Sequence, residues 1–272
     1  MSNFLKEMAL ASAARAAATN VSFTSHALDR PAFPLRLGTF DLIAEIKDRS
    51  PAEGQLATSA VSRVERAVKY VSGGAVAISV LTEPQRFDGQ LAHLGEIVDA
   101  VLTQQIPVMR KDFLVDTLQI LEAKAAGASG VLLIAAILSD KQMLNMLDCA
   151  FDHELFVLLE AFGEDDLKRA IQISRRFKVR EQSAQQKFLI GINTRDLRTL
   201  AVDKSRLQQY GPLLPQGVTR VAESGLLVAD DAARVAGWGY QVALVGTALM
   251  RADDPAALIG EMLVAGRAEA TA

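Results

Sequence analysis

A single (β/α)8 TIM barrel with an N-terminal helical extension, an α/β fold, is predicted by three observations. Eight short runs rich in Val, Ile and Leu recur along the chain, at 42–46, 75–81, 106–109, 130–138, 155–162, 188–192, 218–224 and 242–246. They lack clean alternation, which is how strands buried on both faces of a parallel sheet read. Segments with helical spacing lie between them, and successive run ends fall about 30 residues apart, the length of one strand–helix unit. Eight such units fill about 250 residues, the usual size of a barrel. The rival, a doubly wound open sheet, carries a glycine-rich turn after its first strand. LIAEIKDRSPAEG is not such a turn.

In chain order, residues 1–40 precede the barrel. They read as an alanine-rich helix over 4–18, then a polar wrapping loop over 19–38 with Pro31, Pro34 and Gly38. Residues 41–272 form the barrel domain. Helices are predicted over 61–71, 117–127, 140–151 and 165–177, where apolar residues recur with helical spacing. Gly127 closes the second of these as a C-terminal glycine. The polar stretch 175–187, RRFKVREQSAQQK, reads as a helix end and a solvated insertion before the sixth strand.

Composition narrows the function. Half of the 272 residues are apolar, which excludes disorder. One cysteine, Cys149, excludes a disulfide scaffold and points to a reducing, cytoplasmic setting. No apolar run approaches a membrane span, and Lys6, Glu7 and Arg15 break the order of a signal peptide. Net charge is −3 with the signs mixed along the chain, so neither nucleic acid nor a membrane is an expected partner. His26, His93 and His153 make no metal-ligand spacing, so no metal is expected. The expected assembly is a monomer or a weak homodimer.

Barrel active sites lie at the carboxyl ends of the strands. The first run ends in Glu45 and Lys47, two apart and therefore both facing the mouth. The third ends in Lys111, Asp112 and Phe113, the fifth in Glu160, and the sixth in Asn193 with Arg195 two residues on. The seventh ends in Glu223, Ser224 and Gly225, the eighth in Gly246 and Thr247. A charge in an apolar run is kept only if it is paired or used. One such pair reads equally well as a structural support, and Asp112 and Glu223 look most like supports. Polar ends on five strands together read as a catalytic mouth. ESGL and VGTAL add glycines and hydroxyls where helix N-termini are expected, and free N–H groups there hold an anion. The loops after strands 7 and 8 of a barrel frequently bind phosphate.

The blocks IAEIKDRSP, SVLTEPQRFDG, IPVMRKDFLVDTLQI, GASGVLLIAAIL, LLEAFGEDDL, IGINTRDLRTL, VAESGL and LVGTALMR occur in this order. Together they resemble the indole-3-glycerol phosphate synthase family, from residue 42 to about 255. The resemblance implies ring closure of 1-(o-carboxyphenylamino)-1-deoxyribulose 5-phosphate with loss of carbon dioxide and water, in tryptophan biosynthesis. It implies no metal, no organic cofactor and a small sugar phosphate as the partner. By motif position it implies Lys111 as the general acid at the ribulose carbonyl. Lys47 would meet the anthranilate carboxylate and act as an acid in the dehydration. Glu160 would be the general base, with Glu45 and Asn193 positioning these groups. Arg195, Glu223 and Ser224 would contact substrate, and Phe87, Phe113 and Leu132 would wall the aromatic ring. Ser50, Gly225, Gly246 and Thr247 would form the phosphate turns.

Five departures from the family pattern stand out, two of them the short alanine-rich leader and the 175–187 insertion. SPAEG places Glu53 where the family often has lysine, LLEAF loses the polar neighbour of LVEVH, and Thr247 stands where Glu or Ser is usual. Two other readings compete with this one. A barrel acting on another sugar phosphate, like phosphoribosylanthranilate isomerase, needs a catalytic Cys–Asp pair, whereas Cys149 lies in a helical pattern away from any strand end. A non-catalytic regulatory copy would have lost Lys47, Lys111 or Glu160.

Overall fold

The structure, a computed structural model, describes residues 3–19, 23–57, 61–177, 188–196 and 201–271. Eight strands close into one barrel in sequence order: β1 (Asp41–Ile46), β2 (Ala77–Leu81), β3 (Val108–Lys111), β4 (Gly130–Ile134), β5 (Phe156–Ala161), β6 (Phe188–Asn193), β7 (Thr219–Glu223) and β8 (Val242–Val245). All neighbours are parallel, and β8 returns to β1 with Val242 opposite Asp41. Each apolar run of the sequence overlaps one strand. The runs lack alternation because the barrel interior covers one face and helices cover the other. Every residue of β1, β2, β4, β5, β6 and β8 is buried. Side chains such as Leu42, Ile78, Leu158 and Ile190 are almost fully buried, each contributing about 1.5–3 kcal/mol. That packing makes the strand ends a rigid base for polar groups.

The four predicted helices are Arg63–Ser72, Thr117–Ala125, Asp140–Asp152 and Glu164–Phe177. Three of them start on capping boxes written in the sequence: Ser62 with Glu65, Asp116 with Gln119, and Ser139 with Gln142. Gly127 follows the second helix at φ +90°, a conformation that favours glycine. Leu91–Ala100, Ser205–Tyr210, Ala229–Gly237 and Pro255–Ala270 complete the outer ring. The first of these begins with no side-chain cap from Gln90, so its start carries no sequence signal. Residues 175–177 end helix Glu164–Phe177, and the rest of the expected insertion, 178–187, lies outside the described residues. Among the described residues no helix is long and apolar enough to cross a membrane.

Ahead of the barrel, helix Asn3–Ala18 docks on it through Leu5 and Met8, which join the core. Arg15 Nη2 donates to Asp112 Oδ1 just after β3 at 2.7 Å, and Gln119 Nε2 donates to Ser12 Oγ at 2.8 Å. The wrapping segment differs from a plain loop. It contains a short helix, Ser25–Leu28, because the Thr24 hydroxyl accepts from Ala27 N and caps it.

Candidate active site

The strand ends surround a cavity of about 520 Å³. Every site residue expected from sequence lines it. Its floor is one ammonium among carboxylates. Lys111 Nζ lies 3.5 Å from Glu223 Oε2, 3.5 Å from Glu160 Oε2 and 3.9 Å from Glu45 Oε2. Glu45 Oε1 also accepts from Lys47 Nζ at 2.5 Å. Glu45, Lys111, Glu160 and Glu223 come from β1, β3, β5 and β7, the alternate strands that supply one layer of a barrel interior. All three carboxylates are buried.

Burial sets the ionisation, and neighbours correct it. Burial alone would push the Lys111 pKa down. Glu223, Glu160 and Glu45 overcome this and hold it above the ordinary lysine value, so the group is an ammonium at neutral pH. Burial would raise the Glu45 pKa, but Lys47 and Lys111 hold it below the ordinary value, and Glu45 is ionised. Glu223 goes the other way: burial, then Glu160, push it up to about 8 against the pull of Lys111. Glu160 Oε1 and Glu223 Oε1 are buried without a hydrogen-bond partner among the described residues.

Two glycines make room for this floor. A Cβ on Gly191 in β6 would overlap Glu223 Oε1. A Cβ on Gly246 would overlap Glu45 Oε1 and reach 2.9 Å from Lys47 Nζ. Gly246, expected in a phosphate turn, leaves room for the floor.

The two groups read as supports have different partners. Asp112 is a support: it accepts from Arg15, from Thr82 Oγ1 at 2.9 Å and from Phe113 N at 2.8 Å. Glu223 pairs with Lys111 across two strand ends, as a support would, and also lines the cavity. Asn193 closes β6 and accepts from Arg195 N at 2.9 Å, which ties the two residues of that strand end together.

The rim is built from loops. Ser50 lies in a two-residue ladder, Arg49–Ser50 against Gly54–Gln55, and Glu53 stands in its turn. Glu53 Oε1 is 3.7 Å from Arg195 Nη2, and Glu53 Oε2 is 2.8 Å from Arg251 Nη2. Lys204 Nζ is 2.9 Å from Asp231 Oδ1. Ser224 and Gly225 have φ of 68° and 76°. They do not head a helix, contrary to expectation. Helix Ala229–Gly237 starts four residues later, and Asp231 takes the Leu227 and Val228 N–H groups at 2.8 and 3.4 Å. The carboxylate of the chain itself fills that N-terminus, and Ser224 and Gly225 lie in the loop before it. Thr247 does open a helix, Thr247–Arg251, with Gly246 before it offering no side chain as a cap.

The apolar wall is an aromatic cluster. The Phe113 ring lies 6.2 Å from that of Phe87 and meets Phe4 edge-on at 6.0 Å. Leu132 is buried beneath the wall. Phe4, Lys204 and Arg251 also line the cavity without having been anticipated. A lone aromatic in an alanine-rich helix was the one available signal for Phe4. Cys149 lies outside the cavity lining, half-buried, and burial pushes its thiol up to about 11.

The sequence profile described as indole-3-glycerol phosphate synthase matches residues 5–262. The chain belongs to the indole-3-glycerol phosphate synthase family. A protein of that name from Nocardioides sp. (strain ATCC BAA-499 / JS614) is 39% identical over 256 residues, covering 92% of each chain. One from Parafrankia sp. (strain EAN1pec) is 40% identical over 237 residues, 87% of this chain and 82% of the relative. Among solved structures, 3-hexulose-6-phosphate synthase from Salmonella typhimurium superposes with a TM-score of 0.65 at 16% identity, covering 85% of this chain and 100% of that one. That likeness shows the shared barrel alone. The family match begins at residue 5 and so takes in the helix that carries Arg15.

Proposed function

We propose that this chain converts 1-(o-carboxyphenylamino)-1-deoxyribulose 5-phosphate to indole-3-glycerol phosphate, releasing carbon dioxide and water. The observation that carries the reading is the Lys111 ammonium held within 4 Å of three buried carboxylates at the mouth of a family barrel. Lys111 protonates the ribulose carbonyl oxygen, because its neighbours keep it charged and the ketone gains most from a proton as its oxygen becomes a hydroxyl. The ring carbon bearing the carboxylate attacks the carbonyl carbon. Carbon dioxide then leaves from that ring carbon and its electron pair restores the ring. Dehydration follows. Lys47, beside the substrate carboxylate at first, protonates the departing hydroxyl, and Glu160 takes the proton from the carbon next to nitrogen. The orphaned oxygens of Glu160 and Glu223 are the polar groups that substrate N–H and hydroxyl groups would satisfy, a hydroxyl being able to donate to or accept from either carboxyl. Glu45 holds Lys47, and Asn193 holds the start of the Arg195 loop.

Phe4, Phe87, Phe113 and Leu132 wall the anilino ring. Ser50, Ser224, Gly225 and Thr247 take the phosphate, with Gly246 giving the backbone its approach. Residues 1–40 act as a docked extension of a 41–272 barrel, working as a monomer or weak homodimer in the cytoplasm. The isomerase-like reading has no support here, since Cys149 is not among the lining residues. Incubating the purified chain with the carboxyphenylamino-ribulose phosphate tests the proposal by indole fluorescence. Turnover supports it, and a folded chain that releases no indole-3-glycerol phosphate overturns it.

A further inference from the structure

We infer that Glu53 is a built-in anion that the phosphate of the substrate replaces between Arg195 and Arg251, which makes Arg251 a phosphate-binding side chain. The identity of the substrate rests on the function proposed above; the anion exchange itself does not. Each oxygen of the Glu53 carboxylate faces a different guanidinium, Oε1 towards Arg195 and Oε2 towards Arg251. Two guanidiniums so spaced clasp any oxyanion that presents two oxygens, and phosphate is one. All three residues line the cavity, together with Ser50 and Thr247. Arg251 closes the short helix that Thr247 opens, so it belongs to the same loop as the proposed phosphate turn.

The carboxylate stands on a part of the chain able to yield. Glu53 lies in the turn of a ladder only two residues long, and its N–H donates to Ser50 O at 3.2 Å. Gly54 beside it has open space around its Cβ position. Arg251 is more than half exposed, so the ion pair is solvent-screened and easily exchanged. A phosphate brings more charge than the carboxylate it replaces and wins the exchange. Where the family often carries lysine, this chain carries the competitor.

The test is inorganic phosphate binding by calorimetry at low salt, with no turnover involved. Glu53→Gln should bind phosphate about two- to fivefold more tightly, the range of a partly exposed ion pair. The KM for the substrate should fall by the same factor. Arg251→Met should weaken phosphate binding, and in the double variant the gain from Glu53→Gln should shrink to the part that Arg195 carries. Unchanged or weaker phosphate binding in Glu53→Gln overturns the inference, since the carboxylate would then hold Arg251 in place for the ligand. Tighter binding of o-aminobenzoate instead of phosphate overturns it as well, by assigning the exchanged anion to the substrate carboxylate. If the wild-type chain fails to turn over while Glu53→Gln still tightens phosphate, the proposed function falls and the anion exchange stands.

Discussion

Glu45, Lys111, Glu160 and Glu223 sit on barrel strands, whereas Ser50, Glu53, Arg195, Lys204, Ser224 and Arg251 sit on the connecting segments beyond them. On the floor the carboxylates are 1–3% exposed and share one lysine at 3.5–3.9 Å. On the rim Arg251 is 57% and Lys204 42% exposed, although the Glu53–Arg195 pair is drier, at 25% and 19%. Charges on the floor act through a low dielectric and shift one another strongly, while water and salt screen those on the rim. The difference separates chemistry from capture. On the proposed function, Lys111 and Glu160 work from barrel strands, and the side chains proposed to meet the phosphate stand on the segments beyond them.

The sharpest way to break this division is Lys111→Ala. It should lower kcat by roughly 10²–10⁴, the usual worth of a general acid, with a much smaller rise in KM. Near-normal kcat in steady-state kinetics would exchange the roles of Lys47 and Lys111. Next is Gly246→Asp, at the border of the two regions. Its Cβ overlaps Glu45 Oε1, so kcat should fall by up to about 100-fold while KM rises. A rise in KM alone would place Gly246 with the rim.

Glu223→Gln sharpens the electrostatic half of the comparison. With its folded pKa raised to about 8, against about 4.3 for an ordinary glutamate, the fold favours the protonated form. That stabilisation is complete below about pH 4 and is lost as pH rises through 8, at up to about 1.4 kcal/mol per pH unit. Urea unfolding should therefore show the wild type losing stability relative to Glu223→Gln between about pH 4 and 8, with no further loss above that. A pH-independent difference would mean that Glu223 stays ionised. The smallest effect belongs outside both regions. Cys149→Ser should leave turnover intact and lower Tm slightly, and lost activity in a folded variant would revive a thiol mechanism.

The floor was legible in the sequence and the rim was only partly so, for a physical reason. A carboxylate at the end of LFVLLE or VTRVAE interrupts an apolar run, and the barrel rule says where such an end points. The partnership of Glu223 was not legible, since Lys111 meets it from a strand 112 positions away. A loop such as the one carrying Lys204, or a five-residue helix such as the one ending in Arg251, shows no period, so nothing in the spacing marks either residue. Ser224 and Gly225 were placed at a helix start because their composition suits one. Asp231 had already taken that role, a competition only the folded chain displays. Phe4 reaches the mouth from ahead of the barrel, where the strand-end rule does not look.

Gly191 and Gly246 carry no functional group, yet each holds the space of a neighbouring strand's carboxylate. The unit that a designer would have to move to a new barrel is therefore a pair, an acidic residue on one strand and a missing side chain on the next. Grafting the glutamate alone would aim it at a methyl group and turn it out of the mouth. A variant survey that scores glycine to alanine as mild would misjudge both positions, because here one added carbon displaces a carboxylate from the active site.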